Sequence, residues 1–321
     1  MFFLGGVEHA LLTVVKQLHT DYLCYIVYSD EKSNAAMLER YEPYATVLSL
    51  DEAALDADYC ICCARMKPAE FMQKIRAKKY YAWVHAVIFQ TYPAFTYSEE
   101  FQDAMDKFIC VSQSVKDSIL GAYPALEEKC LVIQNYVDSA AVLALSEEPC
   151  RLEVDPAALN IITVARLSME KGFNRVKALI DLFAARNIAY QWYVLGAAYK
   201  PEAEAEVKGL FAPEDRIAFL GYDPNPYRYI KRMDYLALLS DIESWGLAIT
   251  EALALNVPCI ATAFKEAYSQ ITDKNGIILP LDTHSYGTYI DRIIEKPFLF
   301  NGIPPIEANN RQALEGWRQI L

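Results

Sequence analysis

The stretch of sequence that decides the fold is DIESWGLAITE, residues 241–251. The apolar run YLALLS (235–240) precedes it, and VPCIAT (257–262) follows it. This order of strand, acidic loop, helix and strand places the loop at the carboxyl edge of a parallel sheet, where open α/β sheets bind ligands. The helix amino terminus offers backbone N–H groups and a partial positive charge, which suit a phosphate. Because the carboxylate of Glu251 could accept hydrogen bonds from a ribose, the stretch indicates a nucleotide-sugar site.

Composition limits the classes of protein that the chain can represent. Its 321 residues are enough for two domains with ample cores. Hydrophobic residues make up 54%, yet no uninterrupted apolar run approaches the roughly 20 residues that a membrane span needs. The net charge of −12 argues against general nucleic-acid binding, which needs a basic face. The start lacks the basic region of a signal peptide, and the eight cysteines offer no complete zinc-type pairing, so we expect a cytoplasmic protein.

Strand-like runs alternate with amphipathic segments of helical length, which predicts a parallel α/β architecture. In the N-terminal half we expect strands near 22–28, 45–49, 57–63, 80–86, 107–112 and 130–134, and helices near 6–18, 67–78 and 113–121. In the C-terminal half we expect strands near 159–165, 190–196, 216–220, 234–239, 257–262 and 276–279, and helices near 172–187, 200–210, 247–255 and 284–295. The acidic, irregular segment 137–156 separates two complete alternating units, and we interpret it as the hinge.

The predicted helix 172–187 has one apolar stripe at helical spacing, formed by Phe173, Val176, Ile180 and Phe183. The polar residues between them are assigned to the remaining surface, namely Asn174, Arg175, Lys177, Asp181 and Arg186. The helix is therefore expected to pack on the sheet. Its amino terminus, preceded by Lys171, would point toward the same edge as Glu243.

The Glu-x7-Glu spacing of Glu243 and Glu251 resembles the signature of the retaining glycosyltransferases of family 4 (group 1), which have the GT-B fold. Four further matches follow the family order along almost the whole chain: GGVEH (5–9), WVH (83–85), VSQSVK (111–116) with NYVD (135–138), and TVARLSMEKGF (163–173). The resemblance implies an α/β protein with two facing Rossmann-like domains that contain parallel sheets. These are an acceptor-side domain at 1–145 and a donor-binding domain at 146–303, with a C-terminal helix at 304–321 that crosses back to the first domain.

Two cations and two carboxylates are the main candidates for the chemistry. Breaking the bond from an anomeric carbon to a diphosphate develops negative charge on the leaving group, which fixed cations can stabilise. Arg166 and Lys171 lie around a predicted strand-to-helix turn and could converge on one diphosphate; an ordinary basic turn is the alternative. By resemblance both are leaving-group cations, Glu243 approaches the donor sugar and Glu251 holds the ribose. The alternative for the two glutamates is a solvated acidic loop and a helix-dipole carboxylate.

The resemblance assigns supporting roles to residues in both halves. Gly5 and Gly6 would pass close to the diphosphate, where side chains would clash; a simple helix-start turn is the alternative. The backbone amides around Trp245, Gly246 and Leu247 would face phosphate or sugar oxygens, while the indole of Trp245 is expected to pack. His85, at a strand end, would hydrogen-bond a donor hydroxyl or position the acceptor. A structural histidine is the alternative there.

We expect no metal, because no Asp-x-Asp motif follows a strand; Asp56-Ala57-Asp58 precedes its strand. The resemblance implies retention by same-face attack guided by the leaving phosphate. A basic and aromatic stretch, including Lys74, Arg76, Lys78 and Lys79, could touch anionic lipid or a lipid-linked diphosphate at the inner face of the membrane. The alternative is a solvated helix face.

The predicted reaction moves a sugar from a UDP- or GDP-sugar to a glycan or lipid-linked acceptor, and the resemblance implies a place in surface polysaccharide biosynthesis. A GT-B sugar-nucleotide epimerase or hydrolase is the first alternative, and a non-catalytic nucleotide-sugar-binding partner is the second. A dinucleotide oxidoreductase is disfavoured because no Gly-x-Gly-x-x-Gly follows a strand. The chain departs from the family pattern at Ala165, where glycine is usual. Residues 1–4 are also shorter than the usual first strand, which predicts a trimmed strand or a start further upstream.

Overall fold

The computed structural model describes residues 6–28, 38–63, 68–87, 96–296, 298 and 306–321. The chain divides into two compact units, one formed by Met1–Val137 with Ala308–Leu321 and the other by Asp138–Glu307. Gly5, one of the candidate site residues, lies outside the described residues. In the described ranges, no helix combines the length and the apolar composition that a membrane crossing requires.

The first unit is a parallel α/β unit. Its described strands are β1 (Tyr25–Tyr28), β2 (Thr46–Ser49), β3 (Leu55–Cys62), β4 (Ile75–Val84), β5 (Lys107–Cys110) and β6 (Cys130–Val132). Strand β1 pairs with β2, and β3 to β6 form a second parallel sheet in that order. The helices described up to residue 137 are α1 (Gly6–Leu18), α2 (Pro68–Met72), α3 (Glu99–Ala104) and α4 (Gln113–Ala122).

The C-terminal segment packs within the first unit through specific hydrogen bonds. The side chain of Asn310 brackets the backbone of Val137, accepting from its N–H at 3.0 Å and donating to its carbonyl at 2.7 Å. The hydroxyl of Tyr81 donates to the carbonyl of Ile320 at 2.8 Å. Trp317 is fully buried, and its ring lies 4.9 Å from that of Trp83. These contacts hold the segment against the sheet at β4.

The predicted helix over 67–78 is wrong beyond Met72, because β4 begins at Ile75. Strand pairing decides this segment, since Arg76 lies directly opposite Asp56 on β3, and its guanidinium bonds that carboxylate at 2.9 Å. Two further lysines of β4 pair with neighbouring aspartates: Lys78 with Asp58 at 2.5 Å and Lys79 with Asp106 at 2.8 Å. The basic side chains therefore lie along a strand, not on a helix face.

The second unit contains a six-stranded parallel sheet among its described residues. Its strands are β7 (Leu159–Val164), β8 (Tyr190–Leu195), β9 (Ile217–Gly221), β10 (Tyr235–Leu238), β11 (Cys259–Thr262) and β12 (Gly276–Leu279). The order across the sheet is β12-β11-β10-β7-β8-β9, which is the doubly wound order of Rossmann-like domains. The chain reverses its direction across the sheet between β7 and β10. Ligands bind at such a switch point, outside the carboxyl ends of the strands.

Helices cover this sheet and place its loops. They are α5 (Ser139–Ser146), α6 (Phe173–Ala185), α7 (Pro201–Lys208), α8 (Tyr227–Ile230), α9 (Leu247–Ala254), α10 (Ala267–Gln270) and α11 (Ile290–Glu295). The C-terminal helix α12 (Ile306–Ile320) lies mostly in the first unit. The apolar stripe predicted for α6 is fully buried. Helix α5 occupies part of the segment that the sequence predicted as irregular.

Gly172 brings the loops after β7 and β10 into contact. It joins a short 3-10 turn, Met169–Lys171, to α6 with a φ of 75°, a left-handed conformation that glycine adopts readily. A Cβ at this position would lie 1.8 Å from the carbonyl oxygen of Leu239, at the end of β10. The amide of Asp241 also donates to the carbonyl of Glu170 at 2.9 Å. The two loops at the switch point therefore meet backbone to backbone.

We predict that Gly172→Ala destabilises the second unit far more than Gly221→Ala. Both glycines have a φ near 75°, at 75° and 77°, but a Cβ at Gly221 would meet no atom within 4 Å. The control should therefore lose only about 1–2 kcal/mol through backbone strain. Gly172→Ala must also push the two loops apart, and it should lose at least about 3 kcal/mol more. Urea unfolding of both variants measures the difference, and equal losses would contradict the role given to the close approach.

Candidate functional site

The loops after β7 and β10 form an ion pair at the switch point. Lys171 Nζ lies 2.7 Å from Glu243 Oε1. The two side chains are only 21% and 13% exposed, so solvent screens the pair less than a surface ion pair. The sequence placed these residues 72 positions apart, and the fold brings their charged ends into direct contact.

A chain of hydrogen bonds orients Glu243. The hydroxyl of Ser240, just after β10, donates to Glu243 Oε1 at 2.6 Å. The hydroxyl of Thr262, at the end of β11, donates to the carbonyl of Ser240 at 2.5 Å. Ser240 and Thr262 are fully buried. Lys171 and Ser240 both donate to Oε1 of Glu243. Because Thr262 in turn holds Ser240, the neighbouring strands fix the direction of the Glu243 side chain.

Arg166 lies two residues after the end of β7 and is partly exposed. Its guanidinium forms an ion pair with Glu170, and its Nε donates to Ser168 Oγ at 3.4 Å. The guanidinium carbon also lies 4.6 Å from the ring centre of Tyr199. Arg166 thus contacts its own loop and Tyr199 beyond β8, whereas Lys171 reaches across to Glu243. Tyr199 belongs to no recognised motif, so this contact could not be predicted from the sequence.

The amino terminus of α9 lies directly after the acidic loop. Gly246 has a φ of 82° and precedes Leu247, whose amide belongs to the first turn, where backbone N–H groups lack partners within the helix. Trp245 is buried, and its indole N–H donates to Thr250 Oγ1 at 3.1 Å. The side-chain amide of Gln270 donates to the carbonyl of Trp245 at 2.5 Å. The indole therefore packs in the interior, and the segment offers backbone amides to a ligand.

Glu251 is buried one turn into α9. The hydroxyl of Tyr227, on α8, donates to Glu251 Oε1 at 3.1 Å. Burial raises the pKa of Glu251 to about 7, although the hydrogen bond from Tyr227 acts in the opposite direction. The carboxyl group thus titrates close to neutral pH. Tyr227 lies in a short helix without a motif, so the sequence did not reveal it as a partner.

Two candidate residues of the first unit are described. Gly6 is exposed at the start of α1. His85 directly follows β4, and its ring centre lies 4.3 Å from that of Trp83. Burial lowers the pKa of His85 to about 3, and its Nε2 is buried with no hydrogen-bond partner among the described residues. The imidazole is therefore neutral near pH 7, which suits hydrogen bonding and does not suit a cationic role.

Residues 151–309 match the family described as glycosyl transferases group 1. A curated relative from Campylobacter jejuni subsp. jejuni serotype O:2 is N-acetylgalactosamine-N,N'-diacetylbacillosaminyl-diphospho-undecaprenol 4-alpha-N-acetylgalactosaminyltransferase. It is 26% identical over 161 residues, which cover 49% of this chain and 42% of the relative. The chain thus spans less than half the length of this relative.

Solved structures with the same fold cover 99% of this chain. Anabaena Alr3699/HepE in complex with UDP and glucose superposes with a TM-score of 0.73 at 16% identity, covering 99% of this chain and 97% of that chain. The apo form of the lipopolysaccharide outer core galactosyltransferase WaaB gives a TM-score of 0.68 at 17% identity, with the same coverage. The fold is GT-B, as the sequence predicted. Over residues 151–309 the chain is similar to the group 1 glycosyl transferases.

We predict that the stability of the protein falls with rising pH because of Glu251. Its pKa is 4.5 in the unfolded reference and about 7 in the folded protein, so the folded protein holds the proton more tightly between those values. The stabilising contribution is complete below about pH 4.5 and is lost as the pH rises to about 7, a change of about 3 kcal/mol. Glu251→Gln should remove this slope.

Urea unfolding between pH 4.5 and 8 measures the effect as the difference between wild type and variant. Glu202→Gln, which changes an exposed glutamate of α7, is the matched control and should keep the wild-type slope. A Glu251→Gln variant with the same pH dependence as wild type would show that this carboxyl group does not titrate near pH 7.

Proposed function

We propose that the chain transfers a sugar from a UDP- or GDP-sugar to a hydroxyl group of a glycan or lipid-linked acceptor. The observation that carries this proposal is the ion pair of Lys171 and Glu243 at the switch point of the second sheet. In this proposal the ammonium group of Lys171 would meet a diphosphate, and the neighbouring carboxylate of Glu243 would meet sugar hydroxyls. The solved relative with UDP and glucose supports the donor class, and the relative named for a diphospho-undecaprenol substrate supports the acceptor class.

The proposed reaction proceeds with retention of configuration. The acceptor oxygen bonds to the anomeric carbon while the bond from that carbon to the β-phosphate oxygen breaks, and the hydroxyl proton passes to the leaving phosphate on the same face. Negative charge grows on the diphosphate as the bond breaks. We assign its stabilisation to Lys171, Arg166 and the first amides of α9, which act as preorganised positive charge. With these groups in place, the proposal requires no metal.

Other residues bind the rest of the substrates in this proposal. Glu243 would accept hydrogen bonds from donor-sugar hydroxyls through the oxygen that Lys171 and Ser240 leave free of their bonds. Glu251 would hold the ribose, with Tyr227 fixing its carboxyl group. In the first unit, neutral His85 would hydrogen-bond a donor hydroxyl or position the acceptor. Gly5 and Gly6 would allow the backbone to approach the diphosphate.

We predict that Lys171→Ala and Glu243→Gln have different effects. Loss of the ammonium group should weaken binding of UDP or GDP by roughly ten- to a hundredfold, because charge-assisted hydrogen bonds contribute about 1.5–3 kcal/mol. Glu243→Gln should bind free nucleotide within a few-fold of wild type but lower kcat, because its carboxylate faces the sugar. Calorimetry of nucleotide binding and initial rates of transfer measure the two effects, after a thermal-shift screen of UDP, GDP and their sugars has identified the donor.

Lys208→Ala is the matched control, since Lys208 pairs with Glu204 on the surface of the same unit. It should bind nucleotide as wild type does. Unchanged nucleotide affinity in Lys171→Ala would remove the donor-site assignment. Donor that is consumed or epimerised equally well without acceptor would replace the transferase proposal by a hydrolase or an epimerase.

We also propose that the protein acts at the cytoplasmic face of the membrane, where a lipid-linked acceptor would lie. The basic residues of β4 support this, although Arg76, Lys78 and Lys79 each pair with an aspartate, which reduces the net charge of this segment. Binding should therefore be weak and sensitive to salt. Liposome flotation with and without anionic lipid tests it. Flotation only with anionic vesicles is expected, and no lipid-dependent flotation would contradict it.

A further inference from the structure

Arg175 differs from its sequence-based assignment to the exposed face of α6. It is only 8% exposed and lies in the first turn of the helix, next to the loop that ends at Gly172. Because Arg175 lies between residues of the apolar stripe in the sequence, its side chain was predicted to face solvent. In the structure the side chain instead extends under the loops at the carboxyl edge of the sheet.

The guanidinium of Arg175 connects three points at this edge. Its Nε donates to the carbonyl of Leu281, beyond β12, at 2.8 Å. Its Nη1 donates to the carbonyl of Leu239, at the end of β10, at 3.1 Å. The same nitrogen lies 2.7 Å from Asp241 Oδ1 in the acidic loop. One side chain therefore links the β10 loop to the segment after β12.

These contacts fit an arginine and no other side chain. A buried cation is unfavourable unless hydrogen bonds and an opposite charge compensate for its lost hydration. The planar guanidinium offers several donors in fixed directions, whereas a lysine ammonium is a compact point charge on a flexible stem. Only a forked donor can hold two carbonyls and a carboxylate in a fixed relation.

The acidic loop is held at alternate residues. The carbonyl of Leu239 meets Arg175 and lies against Gly172. Asp241 meets Arg175 through its carboxylate and the backbone of Glu170 through its amide. Glu243 then meets Lys171. Two of the three anchor points thus depend on Arg175, and both precede the residue that carries the carboxylate of the site.

We propose that Arg175 is a positioning residue that sets the acidic loop so that Glu243 meets Lys171 and the donor sugar. The inference rests on the proposed function for its catalytic consequence, but its structural part concerns the loop alone. Arg175 touches no substrate in this account. It acts through the direction that it gives to residues 239–243.

The test compares Arg175→Met, Arg175→Lys and the control Arg186→Gln. Arg186 ends the same helix and bonds Asp291 and the carbonyl of Gly287 at the surface, away from the acidic loop. Arg175→Met should lower kcat on the order of ten- to a hundredfold, because a misplacement of about 1 Å can cost about a hundredfold in rate. The donor KM should change less than kcat. Arg175→Lys should recover only part of the loss, and Arg186→Gln should match wild type.

A double-mutant cycle separates positioning from mere stability. If Arg175 acts through Glu243, then adding Arg175→Met to Glu243→Gln should lower kcat by less than about threefold further, since coupled residues are non-additive. A full additional loss in the double variant would overturn the proposal. So would a lower melting temperature of Arg175→Met with an unchanged kcat, or complete rescue by Arg175→Lys.

Hydrogen exchange tests the structural part without any substrate. Arg175→Met should raise the exchange rates of the amides in residues 239–246 by roughly tenfold or more, whereas Arg186→Gln should leave these rates unchanged. Unchanged exchange in Arg175→Met would overturn the proposal. A wild-type protein that shows no transfer, together with faster exchange in Arg175→Met, would instead mean that the proposed function fails and the positioning role stands.

Discussion

The close approach of Gly172 to the carbonyl of Leu239 is the constraint on which the site depends. A side chain at Gly172 would overlap this carbonyl, so only a glycine lets the loops after β7 and β10 touch. The sheet order makes the contact possible, because β7 and β10 are neighbours at the switch point although residues 165–234 separate them along the chain. The ion pair of Lys171 and Glu243 follows from this contact, since the two residues lie close to it in their loops. The absence of a side chain at Gly172 lets the two loops touch, and the ion pair of Lys171 and Glu243 depends on that contact.

The charges at this edge of the sheet are paired before any donor binds. Lys171 pairs with Glu243, Arg166 with Glu170, and Arg175 with Asp241. A diphosphate would have to compete with carboxylates for the first two cations, whereas the third is buried and serves the loop. Competition of this kind favours a ligand with two phosphates over one with a single charge. The three pairs also keep uncompensated charge out of a partly desolvated region.

Glu251 and His85 show how burial sets protonation. The pKa of Glu251 is raised to about 7 and that of His85 is lowered to about 3, in both cases chiefly by desolvation. Near neutral pH both groups are therefore wholly or partly uncharged. Neutral groups can donate and accept hydrogen bonds, which suits the proposed binding of ribose by Glu251 and of a sugar hydroxyl or the acceptor by His85.

The sequence predicted the sheets well, because buried parallel strands are short apolar runs between helices of clear periodicity. The stripe of α6 and the acidic loop before α9 were also predictable from spacing. Residues 75–78 were not, because a basic segment with helical spacing pairs its charges with aspartates on the adjacent strand, which is a tertiary effect. The burial of Arg175 and the bond from Tyr227 to Glu251 were missed for a similar reason, since each depends on which distant loops the fold brings alongside.

A crystal structure of the protein with bound UDP or GDP is the most direct test of whether the switch point holds a diphosphate. We expect the diphosphate at the carboxyl ends of β7 and β10. A phosphate oxygen should lie within hydrogen-bond distance of Lys171 Nζ, with the first amides of α9 directed at it. A nucleotide bound elsewhere, with the ion pair of Lys171 and Glu243 undisturbed and closed to it, would contradict the account.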